Sequence, residues 1–214
     1  MEEYETEYHK KLHGHLHSDK KYYDLKAKLA LSKYFKGIPK DKKILEYGCG
    51  LGQNIYLLQN AIGYDISEFS LDFARNKGIG VTNDIKVIKD ESCDIVFSAH
   101  VLEHLQNPLE TLKLMRKKLK KGGKLILVLP VEKHRKANFK LDDSQHLYCW
   151  NFRTINNLLI KAGFQSIKNS YFWGAGYRKL LPISKINLSL YVLLTRFVSF
   201  LYNAKEMKII AVKK

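Results

Sequence analysis

ILEYGCGLGQN, residues 44–54, decides how this chain is read. Ile44 and Leu45 end a short apolar run, glycines follow at 48, 50 and 52, and apolar spacing of helical character resumes at Ile55, Leu57 and Leu58. The order is strand, tight turn, helix N-terminus. Glycines at such a turn let a ligand approach the backbone, and exposed N–H groups at the positive end of a helix dipole attract an anionic group. In a doubly wound sheet this turn lies at the carboxyl end of the first strand, where ligands bind.

Eleven residues after Gly52 comes Gly63-Tyr64-Asp65-Ile66-Ser67, a second short strand ending in a carboxylate that can accept hydrogen bonds from both hydroxyls of a ribose. A dinucleotide fingerprint would place its third glycine at position 53, which is Gln53. Gly48-x-Gly50-x-Gly52, with Glu46 two positions ahead, instead resembles motif I of class I S-adenosylmethionine-dependent methyltransferases. The stretch from Cys93 to Leu105, CDIVFSAHVLEHL, is similar to the fourth strand and following turn of that family. LKKGGKLILVL, residues 119–129, is similar to its fifth helix end, Gly-Gly turn and fifth strand. The resemblance spans roughly residues 40–170 and is nearest to the small-molecule type that includes ubiquinone-biosynthesis methyltransferases.

That resemblance implies an α/β, doubly wound, seven-stranded and mostly parallel sheet of Rossmann-like form, with an antiparallel last strand. It also implies S-adenosylmethionine as cofactor, with contacts from Glu46, Gly48, Gly50, Gly52, Asp65 and Ile66. Asn83-Asp84-Ile85 matches the place where the family sets an acid and an apolar residue against the adenine. Asn83 stands where a glycine is usual, and Asp84 reads equally well as a turn residue.

With 214 residues and 45% hydrophobic content, the chain is expected to form a single domain with a real core. Residues 1–39 are read as a helical cap, 40–172 as the cofactor-binding core, 173–204 as a helical lid and 205–214 as the last strand. Strand and helix patterns alternate over residues 41–87, which implies parallel pairing through right-handed crossovers. Cys49, Cys93 and Cys149 are widely spaced with no CxxC pair, which suggests neither a disulfide framework nor a zinc knuckle and fits a reducing cytoplasm. The polar start, MEEYETEYHKK, lacks the layout of a secretory signal. His9, His13, His15 and His17 invite a metal reading, but no carboxylate or cysteine completes a site.

Carbon, nitrogen and oxygen acceptors all remain open, with oxygen favoured. A hydroxyl must lose its proton as the methyl arrives, and imidazoles suit that task. His100, just past the fourth strand, and His146, within Gln145-His146-Leu147-Tyr148, are the candidate bases. His104 is read as a helix-start hydrogen-bonding residue. The metal-dependent ubiquinone-type enzymes carry further acids near Glu103 that this chain lacks, so no metal is expected. The basic turn Lys117, Lys118, Lys120 and Lys121 closes a helix over residues 108–121, as capping alone would select.

The net charge of +16 favours an anionic partner. A small or lipid- or glycan-linked acceptor is expected, with peripheral contact to an anionic membrane as a further option and either a monomer or a homodimer. RNA methylation is the alternative, weakened by the absence of an RNA-binding module. A nucleotide-dependent oxidoreductase would share the glycine turn and Asp65.

Overall fold

The computed structural model describes residues 19–132, 145–173 and 180–214. The histidines at 9, 13, 15 and 17, the first part of the cap and most of the loop after the fifth strand lie outside them. The strands are β1 (Ile44–Tyr47), β2 (Ala61–Tyr64), β3 (Val81–Thr82), β4 (Cys93–Ala99), β5 (Leu119–Pro130), β6 (Gln165–Trp173) and β7 (Lys205–Val212). They form a seven-stranded sheet in the order β3-β2-β1-β4-β5-β7-β6. The pairs β1–β2, β2–β3 and β4–β5 are parallel, while β7 runs antiparallel to both β5 and β6. The doubly wound sheet with an antiparallel last strand is therefore present.

The chain packs as two compact units, 1–89 with 176–195 and 90–175 with 196–214. In the first, helix α1 (Lys20–Tyr34) starts at Asp19, whose carboxylate accepts from the Tyr22 N–H at 3.0 Å. Its inward residues Tyr22, Tyr23 and Leu25 join Leu51 and Tyr191 in one apolar cluster. Tyr191 belongs to helix α6 (Leu188–Leu201), and the short helix α5 (Leu181–Ile186) adds Leu181 and Ile183 to the same cluster. Thus the cap and the helical segment before the last strand share a core. Helix α2 (Glu68–Asn76) is capped by Ser67, directly after β2, so the carboxylate at the strand end and the helix start are two residues apart.

The helix expected after the glycine turn does not form. Residues 51–57 make successive tight turns, with Gly52 N–H donating to Cys49 O, Ile55 N–H to Gly52 O and Leu58 N–H to Ile55 O, all spanning three residues. Few residues remain before β2 begins at Ala61, and of the apolar side chains after Gly52, Ile55 is fully buried while Leu57 is 42% exposed. An apolar face too narrow to sustain a helix gives way to turns.

In the second unit, helix α3 (Pro108–Lys118) ends three residues earlier than the sequence pattern implied, and β5 starts at once with Leu119. Gly122 has φ +75°, and the β4–β5 register shifts between Cys93 and Ile95, so the Gly-Gly step is a bulge inside the strand rather than a turn before it. Of the basic turn, Lys118 is buried and paired with Asp90 at 2.8 Å, which gives it a structural role. Helix α4 (Phe152–Lys161) begins with a capping box between Asn151 and Thr154.

Candidate functional site

Two clusters hold the residues singled out from sequence, one in each unit. In the first unit, the carboxylate of Asp65 binds the glycine turn directly. Its Oδ2 accepts from the Gly50 N–H at 2.7 Å and its Oδ1 from the Ser67 N–H at 3.0 Å. Each oxygen keeps a lone pair for a further donor. Gly50 has φ +50°, and a Cβ added there would meet nothing within 4 Å. Gly52, at φ +76°, differs: an added Cβ would lie 2.6 Å from Ile79 Cδ1, so this glycine serves packing. Open space therefore adjoins Gly50, beside the Asp65 carboxylate.

Glu46, on β1, is wholly buried. Its Oε1 accepts from Asn54 Nδ2 at 2.7 Å, whereas Oε2 has no hydrogen-bond partner. Burial is the main reason its carboxyl is pushed up to about 8; the Asn54 amide opposes this and the nearby Asp65 charge adds to it. Tyr23 ties α1 to the same turn, its O–H donating to Leu51 O at 2.9 Å. Burial raises the tyrosine's pKa and keeps it a donor. Asp84 accepts from the Lys86 N–H at 2.9 Å and starts a single turn of 3₁₀ helix, and Ile85 is half-buried. Ile66 is 69% exposed despite its size, next in sequence to Asp65.

The second cluster gathers around Glu103. His100 follows β4 with φ +56°, a left-handed conformation that turns the chain sharply into the Leu102–His104 turn. The Glu103 carbonyl accepts from the N–H groups of Leu147 at 2.8 Å and Tyr148 at 3.3 Å, which brings the segment after β5 onto this turn. His146 thereby meets His104 edge to face, with ring centroids 4.8 Å apart. Its Nε2 lies 4.0 Å from Glu103 Oε1, and its Nδ1 is within hydrogen-bond distance of Glu132. Tyr148 instead anchors the segment, stacking on Trp150 and donating its O–H to Gln106 O at 3.1 Å.

Glu103 has zero exposure, and neither of its carboxylate oxygens has a hydrogen-bond partner. His100 Nδ1 stands 3.5 Å from Glu103 Oε1, and its Nε2 is 3.2 Å from Glu206 Oε1 on β7. Lost hydration lowers the basicity of His100, but these two carboxylates outweigh it and lift the imidazole to about 9. His104 is shifted the other way, chiefly by lost hydration, against the pull of the Glu103 charge. Ligand-type atoms of Glu103, His104 and His146 lie within 4.8 Å of one another, a spacing that suits a cation.

A methyltransferase-domain family model matches residues 16–169. This chain belongs to that methyltransferase family. An uncharacterized protein of Methanocaldococcus jannaschii is 30% identical over 144 residues, 61% of this chain and 68% of that one. Phosphoethanolamine N-methyltransferase 1 of Arabidopsis thaliana is 27% identical over 100 residues, 40% of this chain and only 20% of the plant protein's length. Among solved structures, an S-adenosylmethionine-dependent methyltransferase of Thermotoga maritima, described as a possible histamine N-methyltransferase, superposes with TM-score 0.62 at 18% identity. That likeness covers 100% of this chain and 97% of the other, and it shows the shared fold.

The methyltransferase uses S-adenosylmethionine, and the residues of the first unit fit it: an unpartnered buried carboxylate oxygen at Glu46 and clear space beside Gly50. The oxidoreductase alternative gives way to the family assignment. Sequence reasoning did not single out Asn54, Tyr23, Glu132 or Glu206. Asn54 carried a signal, since a polar side chain eight positions beyond a buried acid can turn back to it across the glycine turn. Glu132 and Glu206 carried none, because only the fold brings them to His146 and His100.

Proposed function

We propose that this methyltransferase methylates a nitrogen of a small or lipid-linked amine. The Glu103 carboxylate carries the reading: fully buried and flanked by three imidazoles, it shares the protonated His100, 3.5 Å away, with Glu206, and neither of its oxygens makes a hydrogen bond. An acceptor ammonium would supply a second positive charge and the hydrogen-bond donors that the carboxylate oxygens lack. Two similar proteins, of Arabidopsis thaliana and Haemonchus contortus, are phosphoethanolamine N-methyltransferases, which supports the same reading. A neutral hydroxyl, the acceptor favoured from sequence, would bring Glu103 no charge beyond the one it shares at His100.

An ammonium must release a proton before its lone pair can attack. His146 is the base in this reading, its Nδ1 held by Glu132 so that Nε2 faces Glu103. His100, held protonated by Glu103 and Glu206, braces the carboxylate instead of accepting a proton at neutral pH. S-adenosylmethionine supplies the methyl group on a sulfonium, already activated for displacement. Glu46 Oε2 would receive its α-ammonium, the backbone at Gly48, Gly50 and Gly52 its methionine end, and Asp65 its ribose hydroxyls. Ile66 and Ile85 would flank the adenine, with Asp84 accepting from its exocyclic amine. The spare lone pairs on Asp65 and the exposed Ile66 side chain support these roles.

The test is turnover of methyl-labelled S-adenosylmethionine against phosphoethanolamine, phosphatidylethanolamine vesicles, a phenol panel and RNA. Label bound to nitrogen supports the proposal, while label only on oxygen or RNA overturns it. A second reading follows from the spacing of Glu103, His104 and His146: the cation that joins them is a divalent metal. Activity lost to a chelator and restored by a divalent ion would favour that reading over an acceptor ammonium at Glu103.

A further inference from the structure

We propose that α6 docks the methyltransferase onto an anionic lipid bilayer. Unlike an ordinary surface helix it is apolar on its outward face as well as its inward one, where Leu188 and Val192 pack beside Tyr191. At the inward positions stand Tyr191, Thr195 and Ser199, four residues apart and 0%, 5% and 0% exposed, so the small polar side chains of Thr195 and Ser199 face the protein. The outward positions are apolar: Leu190, Leu193, Phe197 and Leu201 are 44%, 63%, 59% and 62% exposed, and Ile186, just before the helix, is 87% exposed. Leu190, Leu193, Phe197 and Leu201 fall at helical spacing and make one apolar ladder, while Ile186 ends α5, before the extended residue Asn187.

Charge identifies what covers this ladder. Residues 180–204 contain no aspartate or glutamate, while Lys185 and Arg196 are exposed among the apolar residues. The whole chain carries 37 lysines and arginines against 21 acids. A second copy of the chain meeting this face across a two-fold axis would bring like charges together, whereas phosphate headgroups neutralise them. The helix has 14 residues, about 21 Å in length, and no helix among the described residues is long and apolar enough to cross a membrane. It therefore lies in the plane of the interface, with the leucines and Phe197 among the acyl chains and the cations at headgroup level. For the proposed function, on which this last step alone rests, such docking would give access to an amine carried on a lipid.

The experiment is co-sedimentation of the full chain with vesicles of phosphatidylcholine alone and with equal parts of phosphatidylglycerol, beside the Leu193→Glu/Phe197→Glu and Lys185→Glu/Arg196→Glu variants. Wild type should pellet with the anionic vesicles at least tenfold better than with the neutral ones, and either variant should lose most of that binding. Unchanged binding of S-adenosylhomocysteine would show that both variants are folded. Wild type that fails to pellet, or that pellets equally well after both changes, overturns the proposal. So does a wild-type dimer that the Leu193→Glu/Phe197→Glu change makes monomeric while vesicle binding is absent, since a second copy would then cover the ladder. Vesicle binding as expected, without turnover of any lipid amine, upholds the docking surface and removes only the acceptor reading.

Discussion

Replacing Glu46 with glutamine should alter the pH dependence of both stability and cofactor binding, in opposite senses. In the folded protein the carboxyl titrates near 8 rather than 4.5, because burial disfavours its charge. Between those values the folded chain keeps a proton that the unfolded chain has released. Stability is therefore greatest below 4.5 and falls as pH rises through about 8. At about 1.4 kcal/mol per unit, the displacement amounts to something on the order of 5 kcal/mol by pH 9. Glutamine cannot ionise, and its amide oxygen can still accept from Asn54 Nδ2. Urea denaturation of the ligand-free protein at pH 5 and pH 9 should thus show Glu46→Gln close to wild type at the lower pH and several kcal/mol more stable at the higher. S-adenosylhomocysteine reverses the preference, because its α-ammonium stabilises the ionised carboxylate. By calorimetry, affinity should rise with pH between about 6.5 and 8.5 in wild type, by at most about tenfold per unit, and remain level in the variant. Parallel stability slopes for the two proteins would refute the buried-carboxyl argument. Parallel affinity slopes would remove Glu46 from the cofactor site.

Asp65→Ala should weaken S-adenosylhomocysteine binding by roughly 2 to 4 kcal/mol through loss of charge-assisted hydrogen bonds, and equal calorimetric affinity would show that Asp65 does not hold the ribose. Gly63→Ala places a Cβ 2.5 Å from Cys49 Sγ, so denaturation should report roughly 1 to 3 kcal/mol of destabilisation, partly relieved by Cys49→Ala. The same stability in the single and double variants would mean that the strand shifts freely to make room. The His100 ring should titrate near 9 by NMR, and Glu206→Gln should move it downward. Since its folded pKa lies above the ordinary 6.5, its stabilising contribution is complete below that value and disappears as pH rises through about 9. An unshifted titration in the Glu206→Gln variant would show that Glu103 alone holds the charge.

Local patterns determined much of this protein by themselves. Three short segments in the right order sufficed for the sheet and for the strand-end placement of Glu46, Asp65 and His100, because alternating apolar strands and glycine turns are encoded within a few residues of one another. The turns at 51–57 in place of a helix were decided by tertiary structure: the chain must return to Ala61, and Leu57, apolar in sequence, finds no neighbour to bury it. Likewise, Glu103 and His146 lie 43 residues apart in the chain and meet only because the Glu103 carbonyl receives Leu147 and Tyr148. The exposed apolar face of α6 was equally hidden. Its composition reads as an ordinary apolar helix, and which of its faces turns inward depends on what Tyr191 packs against, a cluster assembled from α1, the glycine turn and α6 itself. Hydrophobic burial is non-directional and acts over the whole fold, so sequence shows which residues can be buried, while tertiary packing selects those that are.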